Sequence, residues 1–316
     1  MIESAPSLDT GLAEADRLQG HLLRAEPSLA GRLVSMRLPR RLVPTALGVR
    51  MALLGGSAAA LLPGPRRRAV DQLRLVLPPA TSDRVRRRVA RGYMGERLAF
   101  LDLFFRPGLR EIELIGEEHL ADARRGGRGA IIAIMHFGLW WAISLALLQR
   151  GVKVYVVRYR GIEEDPIHRG LLAQYGVERL RLHEKLGGRV IGRGGSYPVL
   201  EALLTRGEVC SLNADPPSAS STSPATLFRG RRFRFATGIG RLSKGTGVAI
   251  VPALAFREGT RPVVRLLPPL EPDQFPDIEG IQVRVSTLFD EALAGREEVA
   301  GAQLLLNLRA ALIGEL

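Results

Sequence analysis

Apolar and polar positions fall in blocks along this chain, and the block boundaries predict its elements. From about residue 112, EIELIGEEHLADARRGGRGAIIAIM predicts a short strand, a helix and a strand apolar on both faces. HFGLWWAISLALLQRG follows as a helix ending at Gly151, and KVYVVRYR as the next strand. Helices around PIHRGLLAQYGV and SYPVLEALLTRG come next, then the short strand EVCSLNA, a long loop, a helix around ATGIGRLSKGTG, and strands VAIVPALAF and RPVVRLLP. Strands alternating with helices predict an α/β fold over residues 112–316, a mainly parallel sheet flanked by helices on both faces.

Residues 1–111 read differently, as a helical, basic N-terminal region. Its most apolar stretch, LVPTALGVRMALLGGSAAALLP from Leu42 to Pro63, approaches the roughly 20 residues that span a bilayer. Arg50 near its middle and Pro44 argue against a clean span. The flanks MRLPRR and GPRRR suit a segment lying on an anionic membrane surface, the alternative being an ordinary apolar helix of the fold.

Composition narrows the classes. With 46% apolar and 24% charged residues, the 316-residue chain reads as globular. Its single cysteine, Cys210, excludes an internal disulfide and a cysteine-based zinc cage, and suits a reducing, cytoplasmic setting. MIESAPSLDTGLAEADRLQG lacks the basic start and apolar core of a secretory signal. Lys and Arg number 45 against 32 Asp and Glu, leaving a net charge of +13 that should attract polyanions: nucleic acid, an anionic membrane or an acidic protein. Twelve arginines against four acids between Leu61 and Arg110 carry that charge along helical sequence, where a solvated helix face explains it equally well.

Chemistry concentrates at GRGAIIAIMHFGLWW. His136 stands where a strand ends and a helix begins, the end of an α/β sheet at which ligands bind. A buried histidine satisfied by backbone groups is the competing reading for an isolated example. The motif, however, resembles the first motif of the bacterial lipid A late acyltransferases and related lysophospholipid acyltransferases, an apolar strand running into His-Phe-Gly-Asn-Trp-Glu. The match covers Gly127, Gly129, His136, Phe137, Gly138 and Trp140. Upstream, IELIGEEHLADARRGGRG is similar to the family's strand, Gly-x-Glu-x-Leu and glycine-rich turn; downstream, LNADPP and LFRGRRFRFATGIGRLSKGTGVAIVPA resemble its later motifs. The resemblance runs from about Arg66 to about Pro269.

That resemblance implies a glycerolipid acyltransferase-like fold and a reaction. A fatty acyl thioester, on coenzyme A or on acyl carrier protein, is attacked by a hydroxyl or amine of a lipid, glycolipid or specialised metabolite, with His136 as general base. The thioester carrier is a co-substrate and no further cofactor is implied. It also implies a peripheral seat at the cytoplasmic face of the cell membrane. Backbone N–H groups at the start of the helix after His136 are the expected oxyanion donors. Phe137, Gly138, Trp140 and Trp141 are candidate substrate contacts, the aromatic ones as lining for an acyl pocket, with plain core as the alternative.

One position departs from the family. The acid of His-x4-Asp/Glu, five residues after the histidine, is replaced by Trp141. A hydroxyl needs a positioned base to become a good nucleophile, and imidazole suits that task near neutral pH when a carboxylate orients it. Indole offers only an N–H donor and cannot replace the acid. Three readings follow: Asp215 in LNADPP substitutes, since it too lies at a strand's carboxyl end; His136 works alone; or the fold persists as a lipid- or acyl-binding protein without turnover.

FRGRRFR, Phe228 to Arg234, packs four arginines into seven residues. Planar guanidinium groups bind phosphate bidentately, which makes Arg229 and Arg231 candidate contacts, Arg231 standing at the family's Phe-x-Gly-Arg position. Arg158 and Arg160, at the end of KVYVVRYR, reach the same end of the sheet. Other motifs fail: GIGRLS is a partial dinucleotide fingerprint placed too late, Lys244, Gly245 and Thr246 do not form a P-loop, and no G-x-S-x-G elbow is present. His21, His119, His168 and His183 lack metal-ligand spacing, so no metal site is expected. Nor is nucleic acid an expected partner, because no binding motif or aromatic-interleaved basic stripe accompanies the charge.

Overall fold

The computed structural model describes residues 42–105, 112–158, 182–192, 196–218 and 220–314. The helix expected around PIHRGLLAQYGV, the basic flank MRLPRR, and Arg160, His21 and His168 lie outside these residues.

Among the described residues three helices come first, α1 (Thr45–Ala59), α2 (Pro63–Leu73) and α3 (Asp83–Phe105). No single helix among the described residues is long and apolar enough to cross a membrane; α1 and α2 together are, but they are bent by 98°. Pro63 opens α2, where its missing N–H costs no hydrogen bond. The core elements follow in chain order: β1 (Glu113–Ile115), α4 (Glu117–Ala123), β2 (Ala130–Ile134), α5 (Trp141–Gln149), β3 (Val154–Arg158), β4 (Arg189–Gly192), α6 (Ser196–Thr205) and β5 (Val209–Asn213). The chain continues with β6 (Thr226–Phe228), β7 (Arg231–Phe233), α7 (Gly238–Thr246), β8 (Ile250–Glu258), β9 (Arg261–Leu266), α8 (Ile278–Leu293) and α9 (Ala302–Ala311).

Seven strands pair in the order β1-β9-β8-β2-β5-β3-β4. Within this sheet, among the described residues, β8 and β9, joined by a tight turn, pair antiparallel and the other pairs are parallel; β6 and β7 form a separate antiparallel hairpin. Side chains of a strand alternate between the two faces, and two apolar clusters result. Ile131, Ala133, Cys210 and Leu212 face α6, α7, α8 and α9, whereas Ala130, Ile132, Ile134 and Val209 face α4 and α5. Burial on both faces explains why AIIAI is a continuous apolar run. The long α3 contributes to both clusters, through Val89, Ala90 and Tyr93 to one and through Ala99 and Leu103 to the other. Burial in this core also raises the Cys210 thiol to about 12, aided by nearby Glu208, which leaves it unreactive.

The strands expected from the pattern are present, and the parallel sheet flanked by helices is the observed architecture. Three features differ, the first being that the expected long loop carries the β6–β7 hairpin. The helix after His136 starts only at Trp141, because residues 136–140 form a turn in which Gly138 has φ +59°. An additional strand, β4, forms the edge beside β3.

Candidate active site

Parallel pairing brings the site together. In the register of β2 and β5, Ile134 stands opposite Asn213, and the amide of Ala214 extends the ladder to the Ile134 carbonyl at 2.7 Å. His136 and Asp215 each follow that registered pair by two residues, so they leave the sheet side by side. Nδ1 of His136 lies 2.9 Å from both carboxylate oxygens of Asp215. The carboxylate, fully buried, accepts a second hydrogen bond from Nδ2 of Asn307 in α9, at 2.8 Å to Oδ2. A carboxylate can only accept, so Nδ1 donates to it, and in the neutral imidazole this leaves the lone pair on Nε2.

The backbone of the histidine turn is clamped from two sides. Gly138 donates to the Val299 carbonyl at 2.9 Å and Leu139 to the Ala255 carbonyl at 2.7 Å. A Cβ at Gly138 would run into the Ala255 carbonyl, which together with the positive φ explains glycine there. Gly301 donates to the His136 carbonyl at 3.0 Å, and a side chain at Gly301 would collide with that same carbonyl.

Within the turn, the amides of Phe137, Gly138 and Leu139 already donate to the Met135, Val299 and Ala255 carbonyls, so none of these three is an oxyanion donor. The aromatic residues divide as well. Trp140 packs edge-on against the His136 ring with centroids 4.8 Å apart. Phe137 is buried, stacked on Phe256 and edge-on to Phe289, and Trp141 is 1% exposed between Phe100 and Phe104 of α3. Phe137 and Trp141 are therefore core residues and not pocket lining; the apolar faces of both rings are already covered.

Arg229 is also corrected. It and Gly230 form the two-residue turn between β6 and β7, both with positive φ, which for the arginine is a strained conformation. Its guanidinium is bound to Glu297, to Asp290 at 3.4 Å and to the Val76 carbonyl at 2.8 Å, and its amide donates to Asp290 at 2.9 Å. Arg229 fastens the hairpin to α8 and to the short turn at Glu297–Val299, and has no free edge for a phosphate. Arg231 differs. It lines a cavity of about 260 Å³ with Arg74, Arg86, Leu77, Pro78 and Pro79. One terminal nitrogen donates to the Arg74 carbonyl at 3.2 Å, while the buried Nε has no partner among the described residues. The backbone of Arg158 closes β3, and its side chain lies outside the described residues.

Asn307 escaped the sequence reading because 92 residues separate it from Asp215. The available signal was one amide on the otherwise apolar buried face of α9, among Leu304, Leu305, Leu308 and Ala311. Among the described residues no three His, Cys, Asp or Glu side chains gather as a metal site.

No curated protein matches the sequence. Among solved structures, the 1-acyl-sn-glycerophosphate (LPA) acyltransferase PlsC from Thermotoga maritima is 14% identical, covering 83% of this chain and 98% of that chain at a TM-score of 0.38. A likeness at that level carries no argument about the site. The profile of the family described as bacterial lipid A biosynthesis acyltransferase matches residues 41–297, a segment that holds His136, Asp215 and the arginine hairpin. With most of its length inside that match and a parallel sheet beneath it, the chain belongs to the bacterial lipid A biosynthesis acyltransferase family.

Proposed function

We propose that the protein transfers a fatty acyl group from a thioester, on coenzyme A or acyl carrier protein, to a hydroxyl or amine of a lipid or glycolipid. The observation that carries this reading is the contact of His136 Nδ1 with both oxygens of Asp215. It supplies, from a neighbouring strand, the carboxylate missing at Trp141. In the proposed step Nε2 of His136 takes the proton of the acceptor as its oxygen or nitrogen attacks the thioester carbonyl carbon. Asp215 steadies the imidazolium so formed. Collapse of the tetrahedral intermediate breaks the carbon–sulfur bond, and the thiolate recovers the proton from the imidazolium, leaving an ester or amide and a free thiol.

The cavity of Arg74, Arg86 and Arg231 is the proposed anchor for a phosphate of the acceptor or of the donor. Exposed Leu47, Met51 and Leu54, one turn apart along α1, support a peripheral seat on an anionic membrane at the cytoplasmic side, with the net charge of +13 adding attraction to lipid or to an acidic carrier protein.

Thiol release in the presence of acyl donor and lipid acceptor tests the reading. His136→Ala is expected to lower turnover by about a hundredfold to ten-thousandfold, and Asp215→Asn by nearly as much, both with the fold retained. A fully active asparagine variant contradicts Asp215 as the substitute acid. Donor or lipid binding with no thiol release from the native chain would favour a lipid-binding protein that has lost turnover.

A further inference from the structure

Asp215 has few partners. It is fully buried, and among the described residues its hydrogen-bond donors are His136 and Asn307. Beside the imidazole N–H, the fixed dipole of the Asn307 amide solvates the buried carboxylate. An amide can serve this way only in one orientation. Rotated by half a turn, it would set its oxygen against the carboxylate and repel it. Gln303, one turn earlier on α9, removes that ambiguity: its Nε2 donates to Asn307 Oδ1 at 2.9 Å, which leaves Nδ2 facing Asp215. Gln303 itself is exposed. The segment leading into α9 meanwhile holds the histidine backbone, through Gly301 to the His136 carbonyl and through the Phe137 to Ala300 bridge.

Resting on the reading of His136 as base, we infer that α9 completes the catalytic site: Asn307 is a positioning residue that aligns Asp215, and Gln303 sets the orientation of its amide. Both residues lie beyond the segment that the family profile matches. The hydrogen-bonded array therefore runs from the surface of α9 inward, Gln303 to Asn307 to Asp215, with His136 donating to the same carboxylate from the other side.

The test uses the full chain with an acyl thioester donor and lipid acceptor. Asn307→Leu is expected to lower kcat by about tenfold to a hundredfold with KM kept, as losing a group that orients a catalytic one commonly does. Because Asn307 acts through Asp215, adding Asn307→Leu to Asp215→Asn should cost little more than Asp215→Asn alone. Gln303→Glu tests the amide without touching the core. It replaces a donor by an acceptor, turns the Asn307 amide over and lowers kcat, whereas Gln303→Lys keeps a donor and retains more of kcat than Gln303→Glu. A melting curve on each variant separates these effects from unfolding. Losses that add in the double variant, or a native kcat in folded Asn307→Leu, overturn the inference while leaving His136 as base. Native turnover in His136→Ala overturns the base itself. Should the native chain release no thiol, nitrogen NMR of labelled histidine still answers: the inference requires His136 protonated at Nδ1 in the native chain and a mixture of tautomers in Asn307→Leu, and an unchanged tautomer refutes it.

Discussion

Trp141, which the motif resemblance sets where the family has its acid, packs edge-on against Phe100 and Phe104 in the core. Restoring the motif is therefore expected to harm the protein. Trp141→Glu would remove a large buried ring, about 3–5 kcal/mol for a truncation of that size, and place a carboxylate in an apolar cluster without a partner. We expect a lower melting temperature and no gain in thiol release, measured on the same preparation; a gain would show that the position still reaches the reaction centre. The sequence singles out His136 and offers Asp215 as substitute, since both stand at strand ends, a property local patterning reveals. What it does not reveal is which strands are neighbours. That is a consequence of sheet order, set by packing over the whole domain, and it decides that β5 lies against β2.

At the scale of elements, the β6–β7 hairpin shows how similar residues take different work. Arg229 holds a strained turn in place with two carboxylates, and Arg231, two residues on, faces a cavity. Arg229→Ala leaves Glu297 buried without its cation and should cost about 3–5 kcal/mol, read as a fall in melting temperature. Arg231→Ala should leave the melting temperature unchanged and raise KM for the phosphate-bearing substrate. If Arg231→Ala instead unfolds the chain or leaves KM unaltered, the phosphate assignment fails. The composition FRGRRFR announces a basic segment, but acids distant in sequence, Asp290 and Glu297, select which arginine is consumed by the fold. The short β4 does not show in the pattern for a simpler reason: RVIG has four residues, follows Gly188 and ends in Gly192, too few for a period to register.

For the whole molecule, the C-terminal third reaches back to the site through the turn at residues 297–301 and through α9. Glu298 in that turn is half-buried, and desolvation, with repulsion from Glu297 and Glu96, raises its carboxyl above the usual 4.5. The folded chain thus holds this proton to higher pH than the unfolded chain, and stability from this residue falls as pH rises through the raised value. Glu298→Gln, which mimics the protonated form, should melt higher than the native chain at neutral pH and lose that advantage below 4.5. A melting difference that stays constant with pH would contradict the assignment. None of this was legible in sequence, because a raised carboxyl depends on neighbours from α3 as well as on its own turn.

The central claim is that Asp215 supplies the carboxylate absent at Trp141, so that His136 remains a working base. Thiol release compared among the native chain, His136→Ala and Asp215→Asn, with coenzyme A and carrier-protein donors and a lipid acceptor, tests it most directly. Acceptor-dependent release that collapses in both variants, each still folded, is the predicted result. Release that survives in Asp215→Asn at the native rate would contradict it.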